Sequence, residues 1–224
     1  MSYLSFNHIA IDTVIFDFDG TLARLNIDFD LMRRSVDELV TLYGIDHQTL
    51  QHRHVLEIIG EAGAILQNSS RQKSESFIRE ACRIIEDIEV AAARQGELFD
   101  GTKEMLKGLR EHSIRAGIIT RNCAKAVYTV FPDISSYCPV VVCRDHVKHV
   151  KPHPEQLNLA LSRLGSSSGT SMMIGDHPLD ICAGQNAGAL TAGVLTGHFH
   201  EDDFVLAGAD LVLAQASDIL KLLA

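Results

Sequence analysis

Short apolar runs alternate with amphipathic stretches along most of this chain. Val14-Ile15-Phe16, 114–120, Pro139-Val140-Val141-Val142-Cys143 and Ser171-Met172-Met173-Ile174-Gly175 are apolar at successive positions, as strands buried on both faces are. Segments 191–195 and 210–213 read as two more strands. Between them lie helical patterns. Met105, Leu106 and Leu109 follow Asp100 and Thr102, which can cap a helix. A second helix at 124–131 is stopped by Pro132. Leu157, Ala160, Leu161 and Leu164 precede Gly165, and 179–187 precedes Gly188, which suits a left-handed cap. A last short helix falls at 219–223. Short apolar strands separated by helices predict an α/β fold, with a Rossmann-like parallel sheet covered by helices on both faces.

One block breaks this rhythm. Phe29, Met32, Val36, Leu39, Val40 and Tyr43 recur at three- and four-residue spacing, predicting a helix over 28–44. Val55, Leu56, Ile58, Ile59 and Ala62 predict a second, with Gly60 and Gly63 weakening its end. After a polar break at 67–73, Phe77, Ala81, Ile84, Ile85, Ile88 and Ala92 predict a third. The expected division is a core of 1–22 and 98–224 with an all-helical insertion at 23–97. The insertion leaves from the carboxyl edge of the first strand, where parallel sheets place ligands, so a cap over that edge is expected.

The net charge of -9 argues against nucleic acid or an anionic membrane as the main partner. The five cysteines form no C-x-x-C pair and read as free thiols of a reducing compartment. No signal sequence and no membrane-spanning run is apparent, so a cytoplasmic protein is expected.

The chemistry gathers at the predicted strand ends. Asp17 and Asp19 follow the first strand with one residue between them, so in extended chain both face one small volume. Gly20 lets the chain turn, and Thr21 can hydrogen-bond back to that turn. Thr120, Arg121 and Asn122 follow the second strand, Lys151 the third, and Asp176 with Asp180 the fourth. Such a group suits attack on a phosphoryl centre. A carboxylate can be the nucleophile, Mg²⁺ binds through carboxylates plus phosphate, and a lysine with a hydroxyl can hold the nonbridging oxygens. No phosphate-binding glycine loop of nucleotide enzymes occurs.

These residues resemble a known family. Asp17-Phe18-Asp19-Gly20-Thr21-Leu22, Ile119-Thr120-Arg121-Asn122, Lys151-Pro152 with Pro154-Glu155, and Gly175-Asp176 with Asp180 are similar, in order and spacing, to the four motifs of haloacid dehalogenase-like hydrolases. The insertion after the first motif resembles the small helical cap of the phosphoglycolate phosphatase-like branch. The resemblance implies Asp17 as nucleophile and Asp19 as general acid and base, with the Asp19 carbonyl also on Mg²⁺. It implies Thr120 and the Arg121 N–H on phosphate, with Asn122 beside them. Lys151 would bridge phosphate and Asp17, while Asp176 would ligate Mg²⁺ with Asp180 in support. An acid at position 19 favours a phosphatase or phosphomutase over a dehalogenase, which has no alkoxide to protonate. The expected activity is Mg²⁺-dependent hydrolysis of a small phosphorylated metabolite, phosphoglycolate first. A β-phosphoglucomutase-like phosphomutase, a pyrophosphatase and a non-catalytic binding module are the alternatives.

Two features depart from relatives or compete with this reading. The fourth motif carries Pro178, expected to stiffen its loop. His52 and His54, the trio His146, His149 and His153, and the pair His198 and His200 could suggest zinc, but no acid or cysteine completes any at ligand spacing, so loop or surface histidines are expected. Arg24, Arg53, Arg71 and Lys73 are expected to be solvated rather than on substrate.

Overall fold

A computed structural model of the chain describes residues 4–6, 8–51 and 54–223; His52 and Arg53 lie outside the described residues. Two compact units emerge, one made of 1–25 and 96–224, the other of 26–95.

In the first unit, β1 (Leu4–Phe6) and β2 (Ile9–Ile11) pair antiparallel and lead into β3 (Thr13–Phe16). Every residue of β3 is buried. The chain then forms β4 (Ala23–Arg24), whose partner is described below.

The second unit holds three helices: α1 (Phe29–Leu42), α2 (Val55–Gln67) and α3 (Arg71–Ala93). Asp28 caps α1 by accepting the Leu31 N–H at 2.7 Å, and Ser70 caps α3 by accepting the Lys73 N–H at 3.3 Å. The Ser70 cap is why α3 starts at Arg71, inside the expected polar break. Helix α2 runs through both glycines to Gln67. Ser74 donates to the Gly63 carbonyl at 2.7 Å, and a β-carbon at Gly63 would meet Ile78 Cδ1 at 2.8 Å. Gly63 thus serves a close α2–α3 approach instead of ending the helix.

Back in the first unit, β5 (Glu97–Leu98) pairs antiparallel with β4. There follow α4 (Thr102–Glu111), β6 (Arg115–Ile119), α5 (Ala124–Val130), β7 (Val140–Val142), α6 (Glu155–Leu164), β8 (Ser171–Gly175), α7 (Pro178–Ala187), β9 (Leu190–Val194), α8 (Glu201–Leu206) and β10 (Leu211–Leu213). The predicted parallel sheet is present, with six strands in the order β10-β9-β8-β3-β6-β7. Ile15, Ile119, Val142, Leu157, Leu161 and Met173 pack together where α6 lies on one face. Helix α7 begins at Pro178 and not at Leu179: proline's missing N–H costs nothing at the first helical position, so it starts the helix rather than stiffening a loop. Thr102 is not a cap; its hydroxyl donates to the Leu22 carbonyl at 3.0 Å, and Gly101 at φ 80° starts α4.

From the central β3 the chain works outward through β6 and β7, then returns to build β8, β9 and β10 on the other side. The strand order therefore reverses between β3 and β8. The loops leaving those two strands diverge there, and their carboxyl ends frame the crevice where open parallel sheets bind ligands.

Candidate active site

Asp17 is the first residue past β3, and its N–H donates to the Ile174 carbonyl of β8 at 2.8 Å. Asp176 is the first residue past β8. The two acids therefore flank the switch point because their strands are neighbours. Asp180, in the first turn of α7, joins them: ligand oxygens of Asp17, Asp176 and Asp180 lie within 4.8 Å of one another.

Lys151, in the loop after β7, reaches into this acid group. Its Nζ lies 2.7 Å from Asp17 Oδ1 and 2.6 Å from Asp180 Oδ1, with the side chain 3 % exposed. Asp180 Oδ2 also accepts the His177 N–H at 3.1 Å, so Asp180 is occupied in holding Lys151 and the start of α7. Asp176 sits in a cradle. Thr21 Oγ1 donates to its Oδ1 at 3.2 Å, and β-carbons built at Gly20 or Gly197 would both overlap its carboxyl group. Gly20 takes φ 83°, which a side chain would strain. Thr196 ties the same loops by donating to the Gly20 carbonyl at 2.5 Å. Asp19 Oδ1 accepts the Leu25 N–H at 2.9 Å, which fixes that carboxylate.

At the end of β6, Thr120 N–H donates to the Val142 carbonyl at 3.1 Å. Its hydroxyl donates to Asn122 Oδ1 at 2.8 Å and accepts the Asn122 N–H at 3.1 Å. Arg121 donates to the Lys151 carbonyl at 2.6 Å, joining the loops after β6 and β7. Every residue anticipated for the site thus lies in one of the loops leaving β3, β6, β7 and β8, or in the first turn of α7.

The charges decide what this arrangement accepts. Burial pushes the Asp17 carboxyl up to about 6, with Lys151 opposing. Burial, then the neighbouring Asp17 and Asp180, push Asp176 up to about 8. Burial alone would lower the Lys151 ammonium, but Asp17 and Asp180 outweigh it and hold it above the ordinary lysine value. One ammonium thus balances only one of three clustered carboxylates. The raised acids express that deficit, which a divalent cation would remove. An all-oxygen donor set with Asp176 wedged between two glycines fits such an ion.

Three contributors were not apparent from the sequence pattern. The buried amide of Gln156 donates to the Thr120 carbonyl at 2.8 Å and accepts the Lys151 N–H at 3.1 Å, linking two site loops. A glutamine four residues before Ala160, on the buried stripe of α6, was the available signal. Gly197 and Thr196 carried none, because no pattern ties the loop after β9 to Asp176. The expectation that no acid completes the histidines at 146–153 does not hold. Glu155 does complete His149 and His153: ligand atoms of the three lie within 4.8 Å. The turn at 152–154 folds Glu155 back onto the loop, a contact that spacing along the chain does not show.

A family model described as haloacid dehalogenase-like hydrolase matches residues 14–194. The chain belongs to this family. Among curated relatives, a pyrophosphatase PpaX from Bacillus cereus is 32% identical over 95% of this chain and 96% of its own length. An N-acetylmuramic acid 6-phosphate phosphatase from Pseudomonas putida is 28% identical over 94% and 95%. A solved hydrolase from Pseudomonas syringae superposes with a TM-score of 0.65 at 20% identity, covering 94% of this chain and 96% of that one. This haloacid dehalogenase-like hydrolase has no helix, among its described residues, long and apolar enough to cross a membrane.

Proposed function

We propose that this hydrolase is a Mg²⁺-dependent phosphatase of a small phosphorylated metabolite, working through a phosphoryl group carried on Asp17. The observation that supports it most is the Lys151 ammonium held between Asp17 and Asp180 beside Asp176. Asp17 and Asp176, with the Asp19 backbone carbonyl, would hold the cation, and Asp180 would support them. Bound there, Mg²⁺ supplies positive charge to neutralise the acids and the nonbridging oxygens of the substrate.

On this reading the Asp17 carboxylate attacks phosphorus, and the bond from phosphorus to the leaving oxygen breaks. Asp19, oriented by the Leu25 N–H, gives its proton to that oxygen. The resulting Asp19 carboxylate takes a proton from water, whose oxygen displaces Asp17 and releases inorganic phosphate. Thr120 and the Arg121 N–H would grip the phosphoryl oxygens, the Thr120 hydroxyl turning its proton from Asn122 Oδ1 to the substrate while the Asn122 N–H stays on its oxygen. Lys151 would stabilise charge on those oxygens and on Asp17.

Phosphoglycolate is the first monoester to try, from the family branch that the motifs resemble. Pyrophosphate is the second reading, favoured by the name of the 32% identical relative. Phosphate release from p-nitrophenyl phosphate, phosphoglycolate, pyrophosphate, N-acetylmuramic acid 6-phosphate and sugar phosphates should be measured with Mg²⁺ and with EDTA. EDTA should abolish release, and Asp17→Asn should lower it at least about a thousandfold. Full activity of that variant would end the mechanism. Isomerised sugar phosphate in place of free phosphate would make the protein a phosphomutase.

A further inference from the structure

The loop between β7 and α6 carries a second group of metal-ligand type, on the outside of the protein. His149 and His153 are exposed and Glu155 is half-buried. His149 Nδ1 lies 2.8 Å from Glu155 Oε2. The two imidazole rings sit 4.6 Å apart by their centroids, inclined at 37°. His153 Nδ1 accepts the Glu155 backbone N–H at 3.2 Å, a bond that gives way when the ring turns a lone pair to a metal. We propose that His149, His153 and Glu155 form a transition-metal site, of Zn²⁺ type, that clamps the loop bearing Lys151.

The donor set is the first argument. Two imidazoles and one carboxylate suit Zn²⁺, Cu²⁺ or Ni²⁺, whereas an all-carboxylate set suits Mg²⁺. Three protein ligands leave the fourth tetrahedral position to water, the usual arrangement of an open zinc site.

Preorganisation is the second. Ligand atoms on a tetrahedral Zn²⁺ lie about 3.3 Å apart for bonds of about 2.0 Å, so the His149–Glu155 pair needs to open only slightly. A cation there replaces the proton shared by Nδ1 and Oε2. Glu155 is already aimed: its Oε1 accepts the Lys148 N–H and its Oε2 the His149 N–H, each at 3.0 Å. Outer partners of this kind fix metal ligands in place.

The two histidines bracket Val150-Lys151-Pro152, and Glu155 starts α6. A metal bound to all three ties that segment into a closed ring with Lys151 inside it. Arg121 on the Lys151 carbonyl, and Asn186 donating to the Pro152 carbonyl at 3.0 Å, also hold this segment. The site therefore stiffens a loop already folded close to the binding arrangement, and side-chain shifts of an ångström or so complete it.

Zn²⁺ titration by calorimetry at neutral pH, with Mg²⁺ in large excess to saturate the internal acids, tests this without relying on activity. One equivalent should bind, the melting temperature should rise, and both effects should persist in Asp176→Asn. His149→Ala/His153→Ala should weaken binding by more than the roughly 10- to 100-fold typical of losing an outer partner. That variant should keep the metal-free melting temperature within a few degrees. Glu155→Gln, which retains size, should also weaken binding. No saturable Zn²⁺ binding in excess Mg²⁺, or binding that survives removal of both histidines, overturns the proposal.

Discussion

Gly197 packs against Asp176 so closely that a β-carbon at position 197 would fall on the Asp176 carboxyl group and lie 2.9 Å from its Cβ. Because the Asp176 Cβ is itself crowded, that side chain cannot escape by rotating its tip. If Asp176 holds the cation, Gly197→Ala must displace a metal ligand while leaving nucleophile, lysine and fold intact. The Mg²⁺ concentration for half-maximal phosphate release should rise about tenfold, roughly 1.4 kcal/mol of binding. A Mg²⁺ titration of variant and parent decides it, with circular dichroism confirming the fold; coincident curves would remove Asp176 from the metal site.

Much of this arrangement was legible because it depends on local order. Val14-Ile15-Phe16 before Asp17, and Met172-Met173-Ile174 before Gly175-Asp176, are apolar runs ending in acids, and the parallel sheet does the rest. Contacts made only by tertiary folding were not legible. Gln156 looks like an ordinary helical residue until its amide meets Thr120 and Lys151, and Glu155 joins the histidines only through a turn. The hairpin of β1 and β2 carries no sequence signal, because three-residue strands leave almost no periodicity to read. Pro178 misled in the other direction, since proline starts a helix as readily as it stiffens a loop.

Gln156→Leu keeps the volume of a buried side chain but removes its donor and acceptor. The Val142 carbonyl retains the Thr120 N–H, whereas the Thr120 carbonyl and the Lys151 N–H lose a partner. Two buried groups left unpaired cost about 3 kcal/mol together. Denaturant unfolding should show that loss as a lower midpoint at unchanged slope. Because both groups sit beside Thr120 and Lys151, kcat should fall as well. A variant with parental stability and parental kcat would refute this linking role.

Cys138 is buried, its thiol donating toward the Ala116 carbonyl at 3.2 Å and the Val140 carbonyl at 3.3 Å. Burial pushes this thiol from 9.0 up to about 12. Thiolate is the reactive form, so at pH 8 a thiol reagent should modify the exposed Cys82 while Cys138 reacts only on unfolding. Between about 9 and about 12 the unfolded chain loses this proton and the folded one keeps it, so the folded state is disfavoured as pH rises. Cys138→Ala should remove that part of the alkaline decline, read as a shallower fall in melting temperature above pH 9.

Gly60 lies in the interior of α2, exposed, with nothing within 4 Å of where a β-carbon would be. Its neighbour in the pattern, Gly63, faces Ile78 and would be crowded by the same change. At Gly60 only the backbone cost remains: glycine in a helix interior is worse than alanine by about 0.5–1 kcal/mol, chiefly through the freedom it gains on unfolding. Gly60→Ala should therefore stabilise the helical unit and raise its melting temperature by about 2 °C. Gly63→Ala gains the same backbone term but must push Ile78 outward, so its gain should be smaller. Equal shifts for the two variants would mean that Ile78 yields without cost, and a drop for Gly60→Ala would mean that position 60 is not in a helix interior.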